Sequence, residues 1–205
     1  MDKREHIITH ALALFAERGF EGTSIRDIAS RADVNVAMIN YYFGSKDKLF
    51  EALVELRAGY MKGLLEELVH DNSKTDIEKI DVIIESYVNR LLSNTSFHRV
   101  LHQELLTQQR ERLSEQIVGI FVKNSRNMKT IIESGIRRKS FRKVDPELTM
   151  SSIIGTITQV VLSRTMCNSL LGKEENFDPY NDEHFRKRVI KHLKQMIHAH
   201  LLCNA

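Results

Sequence analysis

Between Thr23 and Lys46 the chain carries two short apolar-faced segments separated by three residues, which read as two short helices joined by a tight turn. Ile25, Ile28, Ala29 and Ala32 recur at the i, i+3, i+4, i+7 positions of one helical face. Thr23 and Ser24 precede them with hydroxyls suited to capping the orphan amides of a helix start. Asp33-Val34-Asn35 interrupts the pattern, with Val34 able to plug inward and Asn35 suited to cap the next helix. The second segment sets Ile39 and Phe43 on one side and Asn35, Val36, Ala37, Asn40 and Tyr41 on the other. Small, amide and phenol side chains fit the edge of a DNA major groove. There an asparagine can pair bidentately with adenine, and Val36 or the Ala37 methyl can meet a thymine methyl. Two readings fit these residues: a helix-turn-helix whose second helix enters the groove, or a plain helical hairpin with its polar side in water.

The rest of the chain is written for helices. Its 205 residues contain two prolines and nine glycines, and 42% hydrophobic residues are enough for a core, so an all-α fold is expected. A first helix is expected over about 3–18, with Ile8, Ala11, Leu12 and Phe15 inward and Gly19-Phe20 closing it in a Schellman ending, Phe20 placed to contact Phe15. A long one comes next over about 46–70, with Leu49, Leu53, Leu56, Tyr60, Leu64 and Leu68 along one side. After a polar linker at 71–76, helical patterns resume at about 77–92, 97–106, 112–137, 147–171 and 183–202. Asp145-Pro146-Glu147 is a strong helix start. The basic run Arg137–Lys143 falls at a helix end, where cations favour the dipole and free carbonyls. The helix after Pro146 is apolar on more than one side, which implies burial on two faces. Its small residues Ser151, Ser152, Gly155 and Thr156 allow close approach of a partner. Ile153, Ile157 and Val161, with the ladder Phe185, Val189, Leu193 and Ile197 of the last helix, are the candidates for a dimer interface; monomer core is the alternative.

The run Gly19-Phe-Glu-Gly-Thr-Ser-Ile-Arg-Asp-Ile-Ala-Ser-Arg-Ala32, then Val34, Ile39, Tyr42-Phe43 and Ser45-Lys46-Asp-Lys-Leu49, resembles the N-terminal DNA-binding domain of TetR/AcrR-type transcriptional regulators. The resemblance is dense over the first fifty residues. Two positions depart from it: Asp33, where the family usually has glycine, and Asn40, where it often has tyrosine. It implies a three-helix helix-turn-helix domain at 1–46 and a helical effector-binding and dimerisation domain at 47–205. It also implies a homodimer on a palindromic double-stranded DNA operator, released by a small-molecule effector of unknown identity. DNA contacts are expected from Thr23, Arg26, Asn35, Val36, Ala37, Asn40, Tyr41, Tyr42 and Lys46, with Arg26, Tyr42 and Lys46 on phosphates. Effector-pocket candidates are Tyr60, Tyr87, His98, His102, Met128 and Gln159, residues of the mixed polarity such pockets show.

Other chemistry finds little footing. The net charge of +3 is a weak pointer to a polyanion, and Lys/Arg and Asp/Glu are equal in number over residues 1–48. Cys167 and Cys203 form neither a disulfide framework nor a zinc spacing and read as reduced packing residues. His6 with His10, and His98 with His102 beside Glu104, are i, i+4 pairs without a full ligand set. Glu67-Leu-Val-His70 is a single Glu-x-x-His where a di-iron bundle needs two. No cofactor, metal or catalytic group is therefore expected, and no membrane association. The N-terminus opens directly into an amphipathic helix, so a cytoplasmic protein is expected. A sequence-indifferent DNA-binding protein and, behind it, a metal-dependent helical enzyme are the rival readings.

Overall fold

A computed structural model describes residues 2–107 and 110–202. Within them the chain is helical throughout: α1 (Lys3–Arg18), α2 (Ile25–Arg31), α3 (Val36–Phe43), α4 (Lys46–His70), α5 (Asp76–Ser93), α6 (Thr95–Thr107), α7 (Glu111–Arg137), α8 (Pro146–Leu162), α9 (Arg164–Leu170) and α10 (Glu183–Leu201). Cys203 lies outside the described residues. No helix among them is long and apolar enough to cross a membrane.

Packing divides the chain into two compact units. The first holds the residues up to Tyr60 together with Ser96–Val122, and the second holds Met61–Thr95 and the chain from Lys123 onward. The division falls inside α4 and α7 and does not match the functional boundary expected between residues 46 and 47. The reason is apolar: Phe97, Val100, Leu101, Leu113 and Ile117 of α6 and α7 share one core with Ile7, Ile8, Phe15, Phe20, Ile28, Ile39 and Phe50. At its centre Phe15 stacks on Phe20 at 5.1 Å, and Phe50 meets both rings edge-on at 5.6 and 5.3 Å. Gly19 closes α1 and Phe20 meets Phe15 as expected, but at φ 72°, ψ 171° the glycine lies outside the left-handed helical region of a Schellman ending, its amide donating to the Phe15 carbonyl as in an ordinary helical turn.

In the second unit α5, α8 and α10 pack around Ile80, Ile84, Ile153, Ile157, Leu193 and Ile197. Thr75 and Glu78 cap α5 reciprocally, and Asp145 accepts from the Leu148 amide to start α8. Arg138 and Ser140 both donate to the buried Asp76 carboxylate. Burial alone would raise that carboxyl, but these bonds outweigh it and hold its pKa below the usual range.

Three expectations need correction. The segment 147–171 is not one helix. It breaks at Ser163, whose extended backbone (φ −135°) lets its hydroxyl accept from the Met166 amide and start α9 afresh. The stripe buried along the length of α4 is Phe50, Val54, Ala58, Met61, Leu65 and Leu68, with Leu49 and Leu53 buried beside it near the start, and Leu56 and Tyr60 lie outside it, exposed. The proposed dimer-interface residues Ile153, Ile157, Val161, Phe185, Val189, Leu193 and Ile197 are all buried in the core of their own protomer. Only Phe185 and Val189 keep a margin of exposure, at 6% each. The open face of these two helices carries Ser152, Gly155 and Gln159 on α8 and Arg188, Lys191 and His192 on α10.

Candidate nucleic-acid interface

The α2–α3 segment is fixed by local chemistry at each end. Ser24, rather than Thr23, caps α2: its hydroxyl accepts from the Asp27 amide at 3.1 Å while Asp27 reaches back to the Ser24 amide at 2.8 Å. The Ser24 hydroxyl and amide, both donating to the Asp27 carboxylate, hold its pKa below the ordinary range. At the turn, Asp33 takes a left-handed conformation at φ 49°, which aspartate tolerates better than most residues. The Val34 amide donates to the Ala29 carbonyl at 3.0 Å, and the Asn35 side-chain oxygen accepts from the Met38 amide at 2.7 Å to start α3. Ile39 and Phe43 then bury one side of α3.

The other side is open. Val36, Ala37, Asn40, Tyr41 and Tyr42 are exposed, Tyr41 at 84%. The rings of Tyr41 and Tyr42 meet edge-on at 5.3 Å. This surface holds one free-standing amide, small apolar groups and a phenol, the set that reads base edges. Asn35 is placed differently: with its oxygen spent on the cap, it cannot pair bidentately with adenine as an uncommitted asparagine can. α3 has no cation of its own, so charge for phosphates must come from its surroundings. Arg26 is exposed near the start of α2, and the Arg4 guanidinium lies 5.5 Å from the centre of the Phe43 ring.

Two expected contacts are placed elsewhere. Thr23 is buried, its hydroxyl donating to the Gly19 carbonyl at 2.8 Å, so it presents nothing to a nucleic acid. Lys46 turns inward: its ammonium donates to the carbonyls of Phe20 and Thr23, both at 2.9 Å, and sits 4.3 Å from the centre of the Phe20 ring. Only one of its three protons is left for a phosphate.

The effector-pocket candidates fall in both units. In the first, Tyr60 is 57% exposed, His98 lies edge-on to Phe97 at 5.0 Å, and burial pulls the His102 imidazole below its usual pKa. Glu104 does not join these histidines but pairs with Arg110 at 2.9 Å. In the second unit Met128 is core, and burial pushes the Tyr87 phenol up to about 12. Gln159 lines an open groove of about 280 Å³ between α8, α9 and α10, with Thr156, Met166, Phe185, Arg188 and His192. Among the described residues no three His, Cys, Asp or Glu side chains are grouped to hold a metal ion. Arg110 carried no signal in the sequence, because its partners lie up to 89 residues away.

Residues 7–53 match the family model of bacterial regulatory proteins, tetR family, and residues 73–162 that of a tetracyclin repressor-like C-terminal domain. A probable HTH-type transcriptional regulator, YttP of Bacillus subtilis (strain 168), is 31% identical over 140 residues, 67% of each chain. The HTH-type transcriptional repressor NicS of Pseudomonas putida is 31% identical over 147 residues, 68% of this chain and 66% of NicS. Among solved structures, a putative fatty acid metabolism regulator of Clostridium perfringens superposes with a TM-score of 0.78 at 20% identity, covering 97% of this chain and all of that one. FadR from Bacillus subtilis, solved in complex with stearoyl-CoA, gives 0.72 at 22% identity over 92% and 96% of the two chains.

Proposed function

The chain belongs to the tetR family of bacterial regulatory proteins, and on that premise we propose that it represses transcription as a homodimer on a palindromic operator and is released by a small-molecule effector. It is a DNA-binding transcriptional regulator; the operator, the effector, the sign and the dimer are the proposed parts. The observation that carries the reading is the exposed Val36, Ala37, Asn40 and Tyr41 surface on a helix whose start is fixed by the Asn35 cap. In this reading residues 1–46 read DNA, with Asn40, Tyr41, Val36 and Ala37 at base edges and Arg26 and Tyr42 on the backbone. Residues 47–205 take the effector and the partner subunit. The open face of α8 and α10, rather than the buried ladder, is the surface assigned to the partner, because its serines and glycine allow two helices to approach closely. A cytoplasmic setting accords with the role.

Release works by linkage. An effector that binds the DNA-free arrangement more tightly must weaken operator affinity by the same factor. Long-chain acyl-CoA is a reasonable first probe, since one solved neighbour is in complex with stearoyl-CoA, although that likeness is one of fold.

The test is selection of bound duplexes from a random pool at a fixed salt concentration. The expected product is one palindrome whose half-sites lie about 34–36 Å apart, one turn of DNA, or a multiple of that. Binding that persists with no sequence enriched would replace this reading with that of a sequence-indifferent DNA-binding protein.

A further inference from the structure

We propose that Arg110 is a positioning residue for operator binding, tying the α6–α7 junction to the turn from which the helix-turn-helix departs. This deepens the regulator reading and rests on it. Arg110 immediately precedes α7. Its guanidinium carbon lies 4.0 Å from the centre of the Phe20 ring, and the same group donates to Glu21 and, at 2.9 Å, to Glu104 of α6. Phe20 and Glu21 belong to the short turn between α1 and α2. Lys46, the first residue of α4, binds that turn too, through the carbonyls of Phe20 and Thr23.

The geometry gives the turn its importance. The chain leaves Phe20, runs through both helices of the helix-turn-helix, and returns to Phe20 at Lys46. Whatever holds Phe20 and Glu21 therefore holds the base of the DNA-reading segment. Lys46 is the local half of that hold, and Arg110 is the distant half, brought in from α6 and α7. Stability alone does not account for it. Glu104 is buried, and burial raises its carboxyl pKa in spite of Arg110. The Arg110 Nε is buried with no acceptor among the described residues. Both are costs that an apolar residue packed against Phe20 would avoid. What the charged fork adds is direction: it locks only when Phe20, Glu21 and Glu104 are in register. Glu104 of α6 and Arg110 at the start of α7 thus share one hold with this turn.

Freed from Arg110, the turn gains conformations that must be given up again on DNA, which weakens binding without removing any DNA contact. The test uses the full-length chain and the palindrome recovered by selection. Affinity is measured well below the melting temperature, on protein whose active fraction is set by stoichiometric titration. Arg110→Met is expected to bind about tenfold more weakly, roughly 1.4 kcal/mol. The slope of log K against log salt, which counts phosphates neutralised, should stay at the wild-type value. Glu21→Gln, at an exposed position, should lose affinity about threefold, and the double variant should be no worse than Arg110→Met alone. Arg110→Lys should recover part of the loss. Wild-type affinity in Arg110→Met overturns the proposal. So does a slope reduced by about one, which would make Arg110 a phosphate contact, and so do fully additive losses. Should Arg110→Met not fold, wild-type affinity in both Glu21→Gln and Arg110→Lys decides against it. Failure of the underlying regulator reading is distinguishable, since the wild-type chain would then enrich no sequence before any variant is made.

Discussion

Asp76 and Asp33 show how much one carboxylate can depend on its surroundings. Asp76 is buried and held ionised by Arg138 and Ser140, 62 and 64 residues away. Its pKa is lowered on folding, so its contribution is present above the unfolded carboxyl pKa and is lost as pH falls through the folded one. Asp76→Asn should therefore cost about 1–3 kcal/mol near neutral pH, and the gap from wild type in denaturant melts should close as the pH is lowered. Asp33 pays instead for its backbone, standing at φ 49° where glycine would be unstrained. Asp33→Gly should add less than about 1 kcal/mol of stability, read as a slightly higher melting temperature, because glycine's extra unfolded-state freedom offsets part of the relief. Signals of short range were legible in the sequence at this scale: Asp145 before Pro146, Gly19 before Phe20, and Asn35 before α3. The partners of Asp76, Lys46 and Arg110 were not, because nothing local in a charged residue says which distant group it will meet. Arg142, in the basic run read as a helix-end feature, lies beyond the end of α7 and binds the His200 carbonyl near the end of α10 instead.

Helices were read well where their patterns are periodic and poorly where a single polar residue decides. Ser163 looks like one hydroxyl inside an apolar stretch, yet its side chain ends one helix and begins the next. On α4 the leucine ladder pointed to Leu56 and Tyr60, but the stripe buried along the helix is Phe50, Val54, Met61, Leu65 and Leu68, about 100° round from the line of Leu49, Leu56 and Tyr60. α3 was legible because it is short and its two faces differ in kind. Its proposed role separates two classes of variant. Asn40→Ala should cost about 1–3 kcal/mol on the selected operator and relax preference at one base pair, with the salt slope unchanged. Arg26→Gln should weaken all duplexes alike and lower that slope by about one. Competition binding at two or more salt concentrations separates them, and the reverse pattern would exchange their assignments.

Across the whole molecule, the apolar ladders of α8 and α10 turned out to be the protomer's own core, since a helix packed inside its subunit carries the same i, i+4 spacing as one at an interface. The proposed partner face is the complementary one. Thr156→Arg, on the small-residue side of α8 and lining the groove, should shift the chain toward monomer in sedimentation and weaken operator binding with little change in melting temperature. Val189→Ala, in the core, should do the opposite: lower the melting temperature by the roughly 1–3 kcal/mol of a lost apolar group and leave the assembly alone. A dimer untouched by Thr156→Arg would move the interface to another surface.

The unit that carries α2 and α3 is assembled from two stretches of sequence, and this limits what can be done with it as a part. A fragment of residues 1–60 would forfeit Phe97, Val100, Leu101, Leu113 and Ile117 from its core. At ~1.5–3 kcal/mol per buried side chain this removes on the order of 10 kcal/mol, comparable to the entire ~5–15 kcal/mol by which a domain is stable. Such a fragment should lack dispersed methyl resonances and a cooperative melt, whereas a graft that also carries 96–122 should show both. The DNA-reading end is thus no detachable cassette: neither a fusion engineer nor recombination at a single breakpoint can transplant it by one cut.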